Sequence, residues 1–302
     1  MVYDDFASGP VACAGDCVAF WAHASGTDVT AANDGVLVAG SAGAPAVAVR
    51  EGDAAPGTDA TVGAILTPVM VTEGGAAVFQ ATLAGTGVLP ETNGAIYSVS
   101  VGGTPVLVAR EGDTAPGLAG SVQFAGFGSL ALSPQGSLAF VADLRGGGAN
   151  LGNNRALYLR AGAGQPVLIV RTGSPFDPGS GNRTVEEIVL DSDPAQSGLG
   201  AMADTAGGAL VVFKLHFKDA GPNNTVLRSS GLFTALVSAP ACYANCDGSS
   251  VAPVLNVADF GCFLQKFAAG NSYANCDGST SPPTLNVADF SCFLQKFATG
   301  CP

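Results

Sequence analysis

The chain has 302 residues, 47% apolar and 12% charged, with 24 acidic against 12 basic side chains and a formal net charge of −12. That balance excludes a groove tracking nucleic-acid phosphates and makes cations the expected ligands. No run of 18 apolar residues is available to span a membrane, while 42 glycines and 18 prolines favour short strands joined by tight turns.

In chain order, Met1 is followed by Val-Tyr-Asp-Asp, without the basic and apolar regions of an export signal. Eight cysteines stand at 13, 17, 242, 246, 262, 276, 292 and 301. Their even number and clustering predict disulfides made in an oxidising compartment. Zinc is the rival, but the six clustered cysteines come with no histidine and no CxxC pair. The expectation is an extracellular or cell-surface protein whose signal lies in a missing N-terminal part of a longer gene product.

Three copies of one phrase organise residues 1–239: VAVREGDAAPGT from Val47, VLVAREGDTAPGL from Val106 and VLIVRTGSPFDPGS from Val167, with arginines at Arg50, Arg110 and Arg171. A period of about sixty residues marks a repeat architecture. Each phrase follows a short apolar segment (GVLVAG, AIYSVS, ALYLRA) and precedes a turn-separated pair such as GSLALSPQGSLAFVADL. The alternation and the Pro-Gln-Gly turn predict a hairpin there. Four antiparallel strands per unit predict a mainly β, β-propeller-like body, with a sandwich or solenoid as the alternative. Three units are complete; GPVACAGDCVAFWAHASG supplies the last two strands of an earlier one, and GLFTALVS a lone first strand at the end. Aligning Ala19-Phe20 with Ala139-Phe140 sets Cys13 and Cys17 on Ser133 and Ser137, either side of the hairpin turn, and predicts a Cys13–Cys17 disulfide.

The Arg-Glu-Gly-Asp phrase juxtaposes two carboxylates and a guanidinium, which invites a catalytic or metal reading. Its recurrence argues otherwise, because catalysis needs one convergent constellation, whereas a residue repeated in every unit serves the unit. His216, alternating with Lys214 and Lys218, is expected on an exposed strand face, and His23 at a strand end, neither with an identifiable acid or nucleophile partner. Trp21, Phe124 and Phe127 read as core or rim. No catalytic residue is assigned.

Residues 240–302 hold a 28-residue unit twice, from Tyr243 and from Tyr273, identical at all but six positions. Their four acidic residues, Asp247, Asp259, Asp277 and Asp289, keep equivalent places. Alternating oxygens followed by a carboxylate at the start of a helix fit the six to eight oxygens of Ca²⁺. One ion is expected on Asn245, Asp247, Ser249, the Val254 carbonyl, Asn256 and Asp259. A second is expected on Asn275, Asp277, Ser279, Thr284, Asn286 and Asp289. Two carboxylates per site imply weak affinity, about 10⁻⁴ to 10⁻³ M. The competing expectation is that Asn256 and Asp259 only cap the helix.

Phe260, Phe263, Leu264 and Phe267 form one apolar stripe, repeated by Phe290, Phe293, Leu294 and Phe297, so two helices should bury these faces against each other. Gly270 reads as the stop of the first. Internal symmetry predicts Cys246–Cys262 and Cys276–Cys292, leaving Cys242–Cys301 to close the ends.

Loop, single helix and duplication after a β-rich body resemble a dockerin, specifically the type that terminates many secreted bacterial proteins. The VREGDxAPG phrase is similar to repeat domains of unassigned function that often precede such modules. The tail departs from the dockerin pattern in its fifteen-residue span from Asn245 to Asp259 and in opening on Asn. An alternative register makes Asn245 and Asp247 the third and fifth ligands. The resemblance implies calcium-dependent docking on a cohesin-like protein or cell-surface scaffold, commonly in polysaccharide breakdown. It also implies recognition through Val257, Ala258, Gln265 and Lys266 and, equivalently, Val287, Ala288, Gln295 and Lys296. The expectation is a secreted non-catalytic repeat protein; the rival is a polysaccharide hydrolase, lyase or glycan-binding propeller displayed by the same tail.

Overall fold

A computed structural model describes residues 2–5, 11–12, 16–179, 181–191, 201–205, 208–220, 226–238, 242–247, 249, 255–279 and 282–300. The chain divides into two compact units, Met1–Ser238 and Ala239–Pro302.

The first unit is mainly β and propeller-like, built from four antiparallel sheets. The first sheet comprises β1 (Val2–Asp5), β2 (Val11–Ala12), β3 (Cys17–Ser25), β4 (Gly35–Ser41) and β5 (Ala44–Arg50). The second runs β6 (Thr61–Val71), β7 (Ala77–Ala84), β8 (Gly94–Val99) and β9 (Val106–Arg110). The third runs β10 (Gln123–Leu132), β11 (Leu138–Arg145), β12 (Arg155–Arg160) and β13 (Val167–Arg171). The fourth contains β14 (Pro175–Phe176), β15 (Arg183–Val189), β16 (Met202–Thr205), β17 (Gly208–Ala220) and β18 (Val226–Ser238). The hairpin expected around Pro134-Gln135-Gly136 is β10–β11, closed from Leu132↔Leu138.

Strand alternation puts one face of the second and third sheets against the preceding sheet and the other against the following one. Leu37, Val49, Ile65 and Phe79 bury between the first two sheets. Ile96, Leu130, Phe140 and Tyr158 do so between the second and third, and Leu157, Val185, Phe213 and Phe217 between the third and fourth. Phe124 is buried, with Phe127 packed beside it, and Trp21 packs on the first cluster, all three as expected of core or rim.

The recurring phrase holds the sheets together. Arg50, Arg110 and Arg171 each donate from Nε to the carbonyl just before their sheet's third strand, at Asn33 (2.5 Å), Thr92 (3.3 Å) and Asn153 (2.6 Å). The glycine after the next residue crosses to the following sheet: Gly52 donates to Val62 O, Gly112 to Phe124 O and Gly173 to Val185 O. All three glycines have positive φ, 86°, 89° and 75°, which glycine adopts without a Cβ penalty. Tyr97 and Tyr158 then donate from the next sheet to the carbonyls of Pro56 and Pro116. Burial raises both phenol pKa values, Tyr158 to about 12.

Two sequence expectations change. Each of the first three sheets runs hairpin, apolar segment, phrase, so the phrase closes a sheet. The expected partial first unit is therefore part of a sheet completed by β4 and β5, and GLFTALVS lies within β18 of the fourth sheet. A period fixes spacing, whereas hydrogen bonding decides where one sheet ends. Second, both histidines have acid neighbours: His23 Nδ1 lies 3.3 Å from Asp34 and His216 Nε2 4.0 Å from Glu187. Cross-strand neighbours of this kind are invisible until register is known.

The second unit holds α1 (Val257–Ala268) and α2 (Val287–Thr299). Their fully buried phenylalanines, Phe263 and Phe293, stack at 4.2 Å. Phe260 and Phe290 meet edge to face at 5.4 Å, so the two apolar stripes hide each other as expected. Leu264 and Leu294, expected in those stripes, are exposed instead, because the phenylalanines already fill the contact. Gly270 follows the helix with φ 68°, a helix-stopping conformation.

Candidate functional site

The duplicated tail is the chain's most symmetric constellation. Disulfides join Cys246 to Cys262 and Cys276 to Cys292, each tying a loop to its own helix. Cys17 and Cys242 are also disulfide-bonded, while Cys13 and Cys301 lie outside the described residues.

Each loop opens on an asparagine. Asn245 Nδ2 donates to Ser249 O at 2.8 Å, and Asn275 Nδ2 to Ser279 O at 2.8 Å. These bonds fix the amide orientation and leave Asn245 Oδ1 and Asn275 Oδ1 buried with no hydrogen-bond partner. Asp247 Oδ1 accepts from Ser249 N (2.9 Å), and Asp277 Oδ1 from Ser279 N (2.9 Å), folding each loop over its carboxylate.

The closing carboxylates, Asp259 and Asp289, are 0% exposed. Asp259 accepts from Asp247 N (3.2 Å) and Asn256 N (2.9 Å); Asp289 accepts from Asp277 N (3.3 Å) and Asn286 N (2.8 Å). Burial works to raise their pKa, but these backbone donors outweigh it and hold both carboxyls below the usual carboxylate range. The Asp247 and Asp277 side chains lie within hydrogen-bonding reach of the same two groups. Each copy thus brings two carboxylates and an orphaned amide oxygen to one loop.

Other expected ligands sit differently. Asn256 Oδ1 accepts from Ala258 N and Asn286 Oδ1 from Ala288 N, both at 2.8 Å, so these two are N-caps of capping boxes completed by Asp259 and Asp289. The cap takes the amide oxygen that the calcium reading assigned to the ion. The Thr284 carbonyl accepts from Ser279 Oγ (3.2 Å). Val254 lies outside the described residues. Among those residues no group of three or more His, Cys, Asp and Glu is placed to hold a metal.

The copies are also locked across their pseudo-twofold. Tyr243 and Tyr273 stack at 4.8 Å, 4° from parallel, and each phenol donates to the other's backbone carbonyl. Burial, then the neighbouring Tyr273 and Asp289, pushes the Tyr243 phenol up to about 12. Lys266 Nζ sits 3.9 Å from the Tyr273 ring centre, and Lys296 Nζ 4.9 Å from that of Tyr243. These lysines, expected to face a partner, pack on the opposite copy. Val257 (84%), Val287 (78%), Ala258, Ala288, Gln265 and Gln295 are exposed.

Comparison with protein families matches residues 2–225 to a family of unknown function, DUF7453. The chain belongs to that family. The match lies within the first unit, so the duplicated tail is outside it. No curated protein matches. Among solved structures the chain is similar to a subtype N11 neuraminidase-like protein of A/flat-faced bat/Peru/033/2010, at 12% identity and a TM-score of 0.27. The alignment covers 74% of this chain and 58% of that one, less than two thirds of its length.

Proposed function

We propose that this DUF7453 member is a non-catalytic β-repeat protein of the cell exterior, anchored by a calcium-dependent, dockerin-like tail to a cohesin-type partner. One observation carries the calcium reading: Asn245 Oδ1 and Asn275 Oδ1 are buried and unpartnered at equivalent positions, each two residues before the first member of an Asp pair. A buried polar oxygen without a partner costs about 1–3 kcal/mol. A helix-capping role for Asp259 and Asp289 leaves that cost unexplained twice, whereas a bound cation removes it and screens the carboxylates. Two tail disulfides and exposed Val257 and Val287 support display outside the cell and docking on a partner. The catalytic rival gains nothing from the repeated phrase, because Glu51 and Glu111 each accept from a backbone amide, at Gly35 and Gly94.

Melting the full chain in calcium and in chelator tests the reading. Calcium should raise the melting temperature of the helical signal by mass action, and Asn245→Ala with Asn275→Ala should remove the response. Equal melting in both buffers with the disulfides intact rules calcium out.

A further inference from the structure

The fourth sheet is built like the others up to its third strand, and among the described residues no fourth strand follows. An aromatic pair fixes the equivalence: Phe79↔Tyr97 joins β7 to β8, Phe140↔Tyr158 joins β11 to β12, and Phe213↔Phe233 joins β17 to β18. β18 is therefore a third strand, on the edge of β17 opposite β15 and β16. In the second and third sheets the third strand carries a fourth on its other edge, in one register: Tyr97↔Leu107 and Ala95↔Arg110, Tyr158↔Leu168 and Ala156↔Arg171. The first sheet matches with Val38↔Val47 and Val36↔Arg50. Among the described residues, β17 is the one strand paired with β18.

Exposed edges invite pairing, and proteins normally blunt them with bulges, prolines, lysines or short length. β18 carries none of these. It runs 13 residues without a proline or lysine and pairs with β17 at every position without a register shift. Its single charged side chain, Arg228, is engaged 3.0 Å from Glu186. Leu232 and Leu236 are 75% and 61% exposed. Leu232 borders a cleft of about 430 Å³ that includes Val189, Val212 and Lys214.

We propose that the free edge of β18 is a strand-addition site. Its occupant is an extended segment of a second polypeptide with the chemistry of the repeat's own fourth strand, alternating aliphatic residues closing on an arginine. The chain displays that chemistry three times, in β5, β9 and β13, each ending on Arg50, Arg110 or Arg171. Carried onto β18, the shared register sets the incoming leucine opposite Phe233 and the incoming arginine opposite Gly231. Main-chain hydrogen bonds supply the affinity and alternate side chains the specificity. The first three sheets show where those side chains go, since Val49, Ala109 and Val170 on their fourth strands are buried.

The probe is a labelled peptide with the sequence of residues 104–113, titrated into the full chain and read by fluorescence anisotropy. Saturable binding is expected, absent with the scrambled peptide. Leu232→Lys with Leu236→Lys, both at exposed positions, should weaken it at least tenfold without shifting the melting temperature. Hydrogen exchange should show alternate β18 amides gaining protection when the peptide binds. No saturable binding, or protection confined to other strands, overturns the proposal. So does protection of those amides in the peptide-free chain: at every concentration the chain itself covers the edge, and only at high concentration a second copy's β18 does.

Discussion

At the scale of single residues, the third copy of the phrase records a double exchange. Glu51 and Glu111 accept from Gly35 N and Gly94 N, whereas the third copy has Thr172 accepting from Arg155 N (3.1 Å). A Cβ on Gly94 would lie 2.5 Å from Glu111 Oε1, so glutamate and glycine go together, as do threonine and a larger residue. Gly94→Ala should therefore push the Glu111 carboxylate off the Gly94 amide and cost about 1 kcal/mol, the worth of that hydrogen bond. Adding Glu111→Thr should recover part of it, a coupling that a double-mutant cycle in urea would measure. Additive losses would show that the two positions do not sense each other. The sequence displayed both exchanges, but the contact linking residues seventeen positions apart appears only with the strands paired. Asn256 illustrates the same limit. Its place before an apolar stripe suits a ligand and a cap alike, and the 2.8 Å bond from Ala258 N makes it a cap.

At the scale of elements, the helices were legible because their signals are local: stripe, cap and stop lie within about one helix length of one another. What crosses between the copies was not legible. Lys266 and Lys296 look like free recognition charges on a helix, yet each lies over the other copy's tyrosine. A long aliphatic stem lets an ammonium reach an aromatic face while covering apolar surface. Lys266→Ala with Lys296→Ala should thus lower the stability of the tail with no partner present, by about 0.5–2 kcal/mol for each cation–π pair removed. Gln265→Ala with Gln295→Ala, at exposed positions on the same helices, should change stability little, because exposed side chains bury little on folding. The comparison is read from the melting of the helical signal in the full chain. Equal effects of the two pairs would show that the lysine–tyrosine contacts do not stabilise the tail. If the tail docks as proposed, contact should centre on Val257 and Val287, the most exposed large apolar groups of the two helices.

At the scale of the whole molecule, the repeat made the architecture legible but not its phase. Strand count and period follow from alternation and turns, both local properties. Where one sheet ends depends on Gly52, Gly112 and Gly173 handing the chain to the next sheet, through hydrogen bonds to Val62, Phe124 and Val185 further along the chain. The division at Ser238 and Ala239 separates two kinds of stability. Sheets bury a shared aliphatic core from neighbour to neighbour; the helical unit gathers only a small core around Phe263 and Phe293 and relies on covalent ties. A disulfide closing a loop of this size contributes about 3 kcal/mol in the chain-entropy account. Replacing Cys246 and Cys262 with serine should therefore lower the helical transition, followed by circular dichroism, by many degrees. The single tryptophan, Trp21, sits in β3 and reports the sheets alone. Its fluorescence transition should stay where it was, because the broken tie closes a loop wholly inside the tail. If both signals fall together, the two units unfold as one, and the stability of the tail is not its own.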